Sequence, residues 1–556
     1  MNAGRIVGGI NAIDAGIDGH PGTLWRTRLR TLFASGRVRV AAGLMVLLVI
    51  RVAYLLACPM ELIPDEAYYW DWSRQLDWSY YSKPPLIAWL IAAATAVGGD
   101  SEFSIRLPAT IMGTAGLWLV YEQGRRMYSH KTGVWALLVV AASPGTTVLC
   151  LLMTIDAPFL LMWTASVYCL WRMLEGDEID VRWLAPAIVA TGTCLLSKQT
   201  ALGLFPLAGL FLASGKTDRS KLKSRFLWLW MLGSTACLLP VLWWNHTHGW
   251  ITVGHTREHF DPQSEPLLRH LILFLEFTAS QFGILSPLVC GLMLLVTAAL
   301  LKSFANLPRR ERFLLSFGGV PMLAVTALSC FQRVQPNWPV ALHLSGVVLL
   351  AAWSCGDIPL SPRWDACRSW LSPAVVLGAV LSVAVGLVPF VIPASSLSGT
   401  KLDPTGRLRG WKEVADQVAI SLNSFSHSDD LLVVAVTSRA PVSELAYYLP
   451  GKPRVYRWNS GETIDSQHDV WGGPKQGGGR DALIVTDDTL PVPPRLAEAF
   501  LTLDELRPVV VRIGPNSTRR FRVWRGGTLR AWPERGGPAK AVAGLPHLLS
   551  PARSFQ

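Results

Sequence analysis

Residues 62–90 read LIPDEAYYWDWSRQLDWSYYSKPPLIAWL. They follow an apolar run, 40–58, whose one charged residue is Arg51. A bilayer crossing takes about 20 mostly apolar residues. Asp65 and Glu66 therefore stand side by side just beyond a membrane span. Seven tyrosines and tryptophans follow between 68 and 81, and Lys83 precedes Pro84-Pro85 and another apolar run. Ionisable groups at membrane depth are costly and usually functional. A carboxylate there can take a proton from a nucleophile, and a cation beside a helix start can hold a phosphate. Tyr69 and Tyr81 suit a sugar ring in a cavity, or equally the membrane interface. An ordinary aromatic belt explains the Trp and Tyr, but not the carboxylate pair together with Lys-Pro-Pro.

Composition agrees with a membrane setting. Charged residues are 16% of the 556, against roughly 25% in a soluble domain, and the apolar set is 51% with 24 Trp. Mean hydropathy is +0.32. A disordered chain is excluded, since it needs low hydrophobicity and high charge, and a single soluble globule does not fit either. The net charge of +12 does not require nucleic acid, because cytoplasmic loops of membrane proteins carry excess Lys and Arg. The nine cysteines end at Cys367 and contain no CxxC pair, so neither a disulfide framework nor a zinc signature is present.

Eleven candidate spans emerge: 40–58, 104–123, 131–148, 156–174, 183–197, 200–214, 225–244, 284–301, 313–331, 337–354 and 371–393. Their loops alternate in charge. The basic set (the N-terminal tail, 125–131, 172–182, 216–225, 302–312 and 363–368) is expected in the cytoplasm. The other set (59–103, 149–155, 198–199, 245–283, 332–336 and everything after 393) is expected outside. Two more apolar stretches, 84–98 and 268–283, would break this parity if they crossed, so they are expected as interfacial or re-entrant helices on the outer side. The division is a basic tail 1–39, read as cytoplasmic rather than as a removed signal peptide, a membrane domain 40–393 with its first outer loop 59–103, an extracytoplasmic α/β domain 394–530 and a flexible tail 531–556. The fold class is mainly α, a polytopic helix bundle with a small C-terminal α/β domain. In that domain strands are expected at 431–437, 482–488, 509–513 and 520–525, and helices at 411–423 and 495–506.

Several further residues bear on chemistry. Asp156 opens a span beside Pro158, as a functional carboxylate or a helix cap. Lys198 lies between two short spans, as a second phosphate-binding cation or a snorkelling lysine. Arg257 can face a phosphate. Asn337, in QPNWP at 335–339, can cap a helix or touch a donor. His246, His248, His255 and His259 have spacings that invite a metal, but a polar cavity lining is the favoured reading and no metal is assigned. Arg51 is expected to pair inside the bundle. Arg512, Arg519, Arg520, Arg522 and Arg525 form a basic run that is a solvated face or a contact for anionic head groups.

The quoted loop, followed by GDSEFSIRLPA at 99–109, resembles the opening of the bacterial membrane glycosyltransferases related to protein O-mannosyltransferases and to the lipid A aminoarabinose transferase, family 39 and its relatives, of GT-C fold. SPGTTVLCLLMTIDAPFLLMW at 143–163, LLSKQTALGLFPLA at 195–208, VLWWNHTHGW at 241–250, VQPNWP at 334–339, DPTGRLRGW at 403–411 and SELAYYLPGKPRVY at 443–456 are similar as well and fall in the family's order. The resemblance implies a sugar carried on a polyprenyl phosphate (undecaprenyl-phosphate type), passed with inversion to an envelope lipid, glycan or protein on the outer face of the bacterial inner membrane, with no obligatory cofactor. It implies that Asp65 is the catalytic base or acceptor-positioning carboxylate, with Glu66 as its neighbour and Asp156 as a second acidic residue, and that Lys83 binds the carrier phosphate. After Glu66 the chain reads Ala-Tyr-Tyr-Trp, where the aminoarabinose branch tends towards Thr-Arg-Tyr, so sugar and acceptor stay open. The rival reading is a transporter or flippase of a lipid-linked envelope substrate. That class favours inverted repeats with broken helices near mid-membrane, and the sequence shows no such duplication.

Overall fold

The computed structural model describes residues 35–258, 266–425 and 431–533, apart from the single positions 462, 477 and 516. Helices dominate up to residue 394. Among the described residues, five are long and apolar enough to cross a membrane: Gly36–Ala57, Glu102–Met127, Leu268–Leu285, Arg309–Leu328 and Pro362–Ala394. A sixth is the pair Arg225–Ala236 and Leu239–Thr247, bent by 42°. The expected span 156–174 is one continuous helix, Asp156–Leu174, and the remaining expected spans are shorter or broken. Residues 131–148 split into His130–Ala141 and Pro144–Leu149, because Pro144 lacks the N–H that would continue the first helix.

The two sets of loops gather at opposite ends of the bundle. At one end Arg37 and Arg125 meet Glu122, Arg126 and Arg172 meet Glu175, and Arg312 meets Asp218. At the other, Asp156 meets Lys198 and Asn337, Gln199 bonds Ser82, and Trp244 bonds Asp77. Leu86–Gly98 starts and finishes at this second end. It follows Lys83, and just past its last turn Asp100 receives Trp70 Nε1 at 2.8 Å. The helix Leu267–Leu285, expected to stay on the outer side, is nineteen continuous residues, enough to cross. Yet both of its halves touch the one stretch 331–336. His270 packs on Phe331 and Gln281 donates to Pro336 O at 3.2 Å. Arg51 is buried and donates to Thr114 Oγ1 at 3.2 Å, a partner within the bundle.

The C-terminal domain is one mixed sheet of six strands: β1 Leu432–Val436, β2 Val455–Arg457, β3 Ala482–Asp487, β4 Phe500–Glu505, β5 Val509–Gly514 and β6 Ser517–Leu529. The order is β2-β1-β3-β6-β4, with β5 also pairing β6. β2, β1 and β3 run parallel, and the pairs β3–β6, β4–β6 and β5–β6 are antiparallel. The expected helix at 495–506 is corrected to a single turn, Pro494–Ala497, followed by β4. Leu-Asp-Glu-Leu has helix-forming residues, but Phe500 to Glu505 pairs along the thirteen-residue β6, and tertiary pairing overrides propensity.

The domain is docked on the first loop. Trp411 N donates to Glu61 Oε2 at 2.6 Å, Leu62 N to Tyr448 OH at 2.7 Å, and Gln467 N to Tyr68 OH at 2.5 Å. One apolar cluster runs from Tyr68, Trp70 and Trp72 of the loop into Val414, Leu445, Val433 and Val485 of the domain.

Candidate active site

The loop helix Pro64–Ser73 begins with Pro64 in its first turn, where a missing N–H costs nothing, and carries Asp65 and Glu66 beside it. Successive helical residues point about 100° apart, and these two carboxylates part company. Asp65 is 43% exposed and accepts Arg439 Nη2 at 3.0 Å. Glu66 is fully buried. Arg106 Nη2 reaches its Oε2 at 2.7 Å and Arg106 Nε its Oε1 at 3.0 Å, while Ile63 N and Met153 N donate at 3.1 and 2.8 Å. Both oxygens are committed. Glu66, expected in the chemistry, is instead the anchor that ties the loop to the helix Glu102–Met127.

Asp156 and Lys198 form a buried pair at 2.8 Å, and Asn337 Nδ2 donates to the other Asp156 oxygen at 2.6 Å. The Lys198 ammonium, expected as a second phosphate-binding cation or a snorkelling lysine, therefore has a carboxylate partner within the bundle. Lys83 differs. Among the described residues its ammonium has no hydrogen-bond or ion-pair partner. Burial, then the neighbouring Lys198, pulls its pKa down to about 8; Asp156 and Asp65 oppose the shift and Arg439 adds to it. Lys83, Lys198, Asp156, Asp65 and Arg439 thus share one electrostatic neighbourhood. Tyr69 is buried beside it, and burial, then Asp65, pushes its phenol up. Tyr81 is buried with its backbone N donating to Gln467 Oε1 at 2.6 Å and its ring against His255.

Arg257 is not brought in. It is exposed on Ile251–Glu258 and makes no hydrogen bond or ion pair among the described residues. His246 packs on Trp250, and His248 stacks on Trp244 at 4.0 Å. His259 lies outside the described residues. No group of three or more metal-ligating side chains occurs among the described residues.

Between the loop and the C-terminal domain lies an open cleft of about 1170 Å³. Ile63, Pro64, Asp65 and Leu152 line it on the membrane side, and segments 399–411, 438–441 and 513–519 on the other. Arg439 and Arg457 enter it from the carboxyl ends of the parallel strands β1 and β2, where open α/β sheets bind ligands. Sequence reasoning missed Arg439. The signal was present as a basic residue at the end of a buried strand, four residues before SELAYYLP, but nothing local ties it to Asp65.

The pattern of the dolichyl-phosphate-mannose-protein mannosyltransferase family matches residues 82–244. The lipid A galacturonosyltransferase RgtD of Rhizobium johnstonii is 26% identical over 306 residues, 54% of this chain and 62% of that protein. An undecaprenyl phosphate-α-4-amino-4-deoxy-L-arabinose arabinosyl transferase of Pseudomonas fluorescens is 30% identical over 166 residues, 26% of this chain and 27% of its own length. The chain spans less than two thirds of either relative. The crystal structure of ArnT from Cupriavidus metallidurans in the apo state superposes with a TM-score of 0.54 at 15% identity, covering 87% of this chain and 98% of ArnT; the undecaprenyl phosphate-bound form gives 0.52. This is the GT-C fold. The relatives are glycosyltransferases, and the chain is a multi-pass membrane protein of the same architecture. Within the GT-C fold, the matched stretch 82–244 contains Lys83, Asp156 and Lys198, three of the five clustered charges.

Proposed function

We propose that this protein is a membrane glycosyltransferase that moves a sugar from a polyprenyl-phosphate carrier to an envelope lipid, with the domain-bearing end on the outer face of the inner membrane. The observation that carries the reading is a half-buried lysine, without a partner among the described residues, in the electrostatic neighbourhood of a partly exposed carboxylate that lines a large cleft. Undecaprenyl phosphate bound to ArnT supports the donor class, and the lipid A named in a relative supports the acceptor class. Clustering of the charges at one end of the bundle speaks for transfer rather than transport.

In this reaction Lys83 holds the carrier phosphate by a charge-assisted hydrogen bond. The acceptor oxygen attacks the anomeric carbon from the opposite side, so the new C–O bond forms as the bond to the phosphate oxygen breaks. Asp65 takes the acceptor's proton. The polyprenyl phosphate leaves as an anion, which calls for a cation more than for an acid. Arg439 fixes the Asp65 carboxylate, and the Asp156–Lys198–Asn337 group braces the floor. The test is incubation of the purified chain with labelled polyprenyl-phosphate sugars and envelope lipid. Labelled glycolipid is the expected product, and its absence with every donor would overturn the reading.

A further inference from the structure

The chain leaves the helix Leu371–Val391, passes the turn Ile392–Ala394, and forms one wall of the cleft with residues 399–411. This wall sits where the bundle gives way to the domain. Five cations line the cleft: Lys401, Arg407, Arg439, Arg457 and Arg519. Arg439 is paired with Asp65, and Arg457 with Asp465 and Asp469. Lys401, Arg407 and Arg519 have no carboxylate within ion-pair distance among the described residues.

The acidic residue on that wall is already occupied. Asp403 accepts Gly399 N at 2.8 Å, Thr405 N at 2.8 Å and Thr405 Oγ1 at 2.7 Å, and pairs with Arg409. Arg519 is held in place: its Nη2 donates to the carbonyls of Gly406, Arg407 and Arg409 at 3.4, 3.2 and 3.3 Å, and its guanidinium lies 3.8 Å over Trp411. Its Nε is buried and unbonded. Glu444 and Glu61 lie in its electrostatic neighbourhood, and burial pushes both carboxyls up from their usual range. Lys401 and Arg407 are exposed, and their side chains make no hydrogen bond among the described residues.

We propose that Lys401, Arg407 and Arg519 form an anion site that holds a phosphate on the head group of the acceptor, a phosphorylated glycolipid, while Asp65 on the membrane side of the same cleft meets its nucleophile. This rests on the glycosyltransferase reading. The cleft exceeds the roughly 300–1,000 Å³ of small-molecule pockets and suits a sugar head group. Lys and Arg are the residues that take phosphate.

The test is binding of lipid A by the full chain in phosphatidylcholine nanodiscs, with no donor present. The wild type should bind bisphosphorylated lipid A at least about tenfold more tightly than dephosphorylated lipid A, the scale of a hydrogen bond to a charged group. The double variant Lys401→Ala/Arg407→Ala should lose that preference. Both side chains are exposed and unbonded, and an unchanged thermal midpoint confirms folding. Equal binding of both lipids by the wild type, or a preference kept by the variant, would overturn the site. Equal displacement by phosphatidylglycerol or by inorganic phosphate would overturn the head-group assignment. Failure of sugar transfer with phosphate-dependent binding intact would count against the catalytic reading alone.

Discussion

Lys83 and Lys221 lie at opposite ends of the helix bundle, and burial pulls both pKa values down to about 8. The resemblance ends there. Lys221 donates to Leu174 O at 2.9 Å and to Gly176 O, and sits 3.8 Å from Asp218, which also binds Arg309 and Arg312 at 2.5 and 3.0 Å. Together with Arg309 it supplies donors to the carbonyls at the end of the helix Asp156–Leu174. Lys83 is half-buried and has no hydrogen-bond or ion-pair partner among the described residues, which is what the proposed phosphate site asks of a cation. The same contrast separates Asp65 from Glu66: one carboxylate stands at a cleft, the other is enclosed by four donors.

These contrasts can be broken by mutation. The largest effect belongs to Asp65→Asn, which keeps size and removes charge. Turnover should fall by about 10²–10⁴ with the thermal midpoint nearly unchanged, measured by transfer assay and scanning calorimetry together. Glu66→Ala should do the opposite. Leaving Arg106 as an uncompensated buried cation costs about 3–5 kcal/mol, seen as a large fall in midpoint or in folded yield. An Asp65→Asn enzyme with full activity and an inactive but fully folded Glu66→Gln enzyme would reverse the two roles. Next, Lys221→Met removes one of two donors to each of the Leu174 and Gly176 carbonyls, Arg309 being the other, at about 0.5–1.5 kcal/mol per bond. It should lower stability while leaving donor affinity per folded molecule intact, as measured by titration with undecaprenyl phosphate.

The pH dependence sharpens the comparison at smaller amplitude. The folded pKa of Lys83 lies below its ordinary value of 10.5. Between about pH 8 and 10.5 the unfolded chain binds more protons than the folded one, so this group's contribution to stability rises with pH across that window and is lost as pH falls through 8. Phosphate binding has the opposite sign, because it needs the ammonium. Donor affinity should be highest below pH 8 and decline above it. Lys83→Arg, charged throughout, should flatten the profile. A wild-type profile flat through pH 9.5 would disconnect Lys83 from the donor.

Much of this was legible in the sequence. Charge alternation sorted the loops into the two sets that the structure gathers at opposite ends, because cationic loops and apolar spans are local signals. Asp65, Lys83 and Asp156 stood out as ionisable residues beside apolar runs. What sequence could not show is pairing over distance. Arg439 lies 374 positions from Asp65, Arg106 forty from Glu66 and Lys198 forty-two from Asp156. Each of these contacts decides whether a charge is free or committed. Gln467 and Tyr448, which dock the domain on the loop, carry no local signal at all. The strand at 500–505 escaped because its partner β6, not its own composition, sets its conformation.

The central claim is that Lys83 is kept unpaired for the carrier phosphate. Its most direct test is donor binding and thermal stability measured side by side on Lys83→Met. The account predicts a midpoint close to the wild type, since the half-buried ammonium makes no hydrogen bond or ion pair among the described residues. It also predicts undecaprenyl-phosphate affinity lowered by about 1.5–3 kcal/mol, roughly 10- to 150-fold. Donor affinity unchanged in a folded Lys83→Met protein would contradict it.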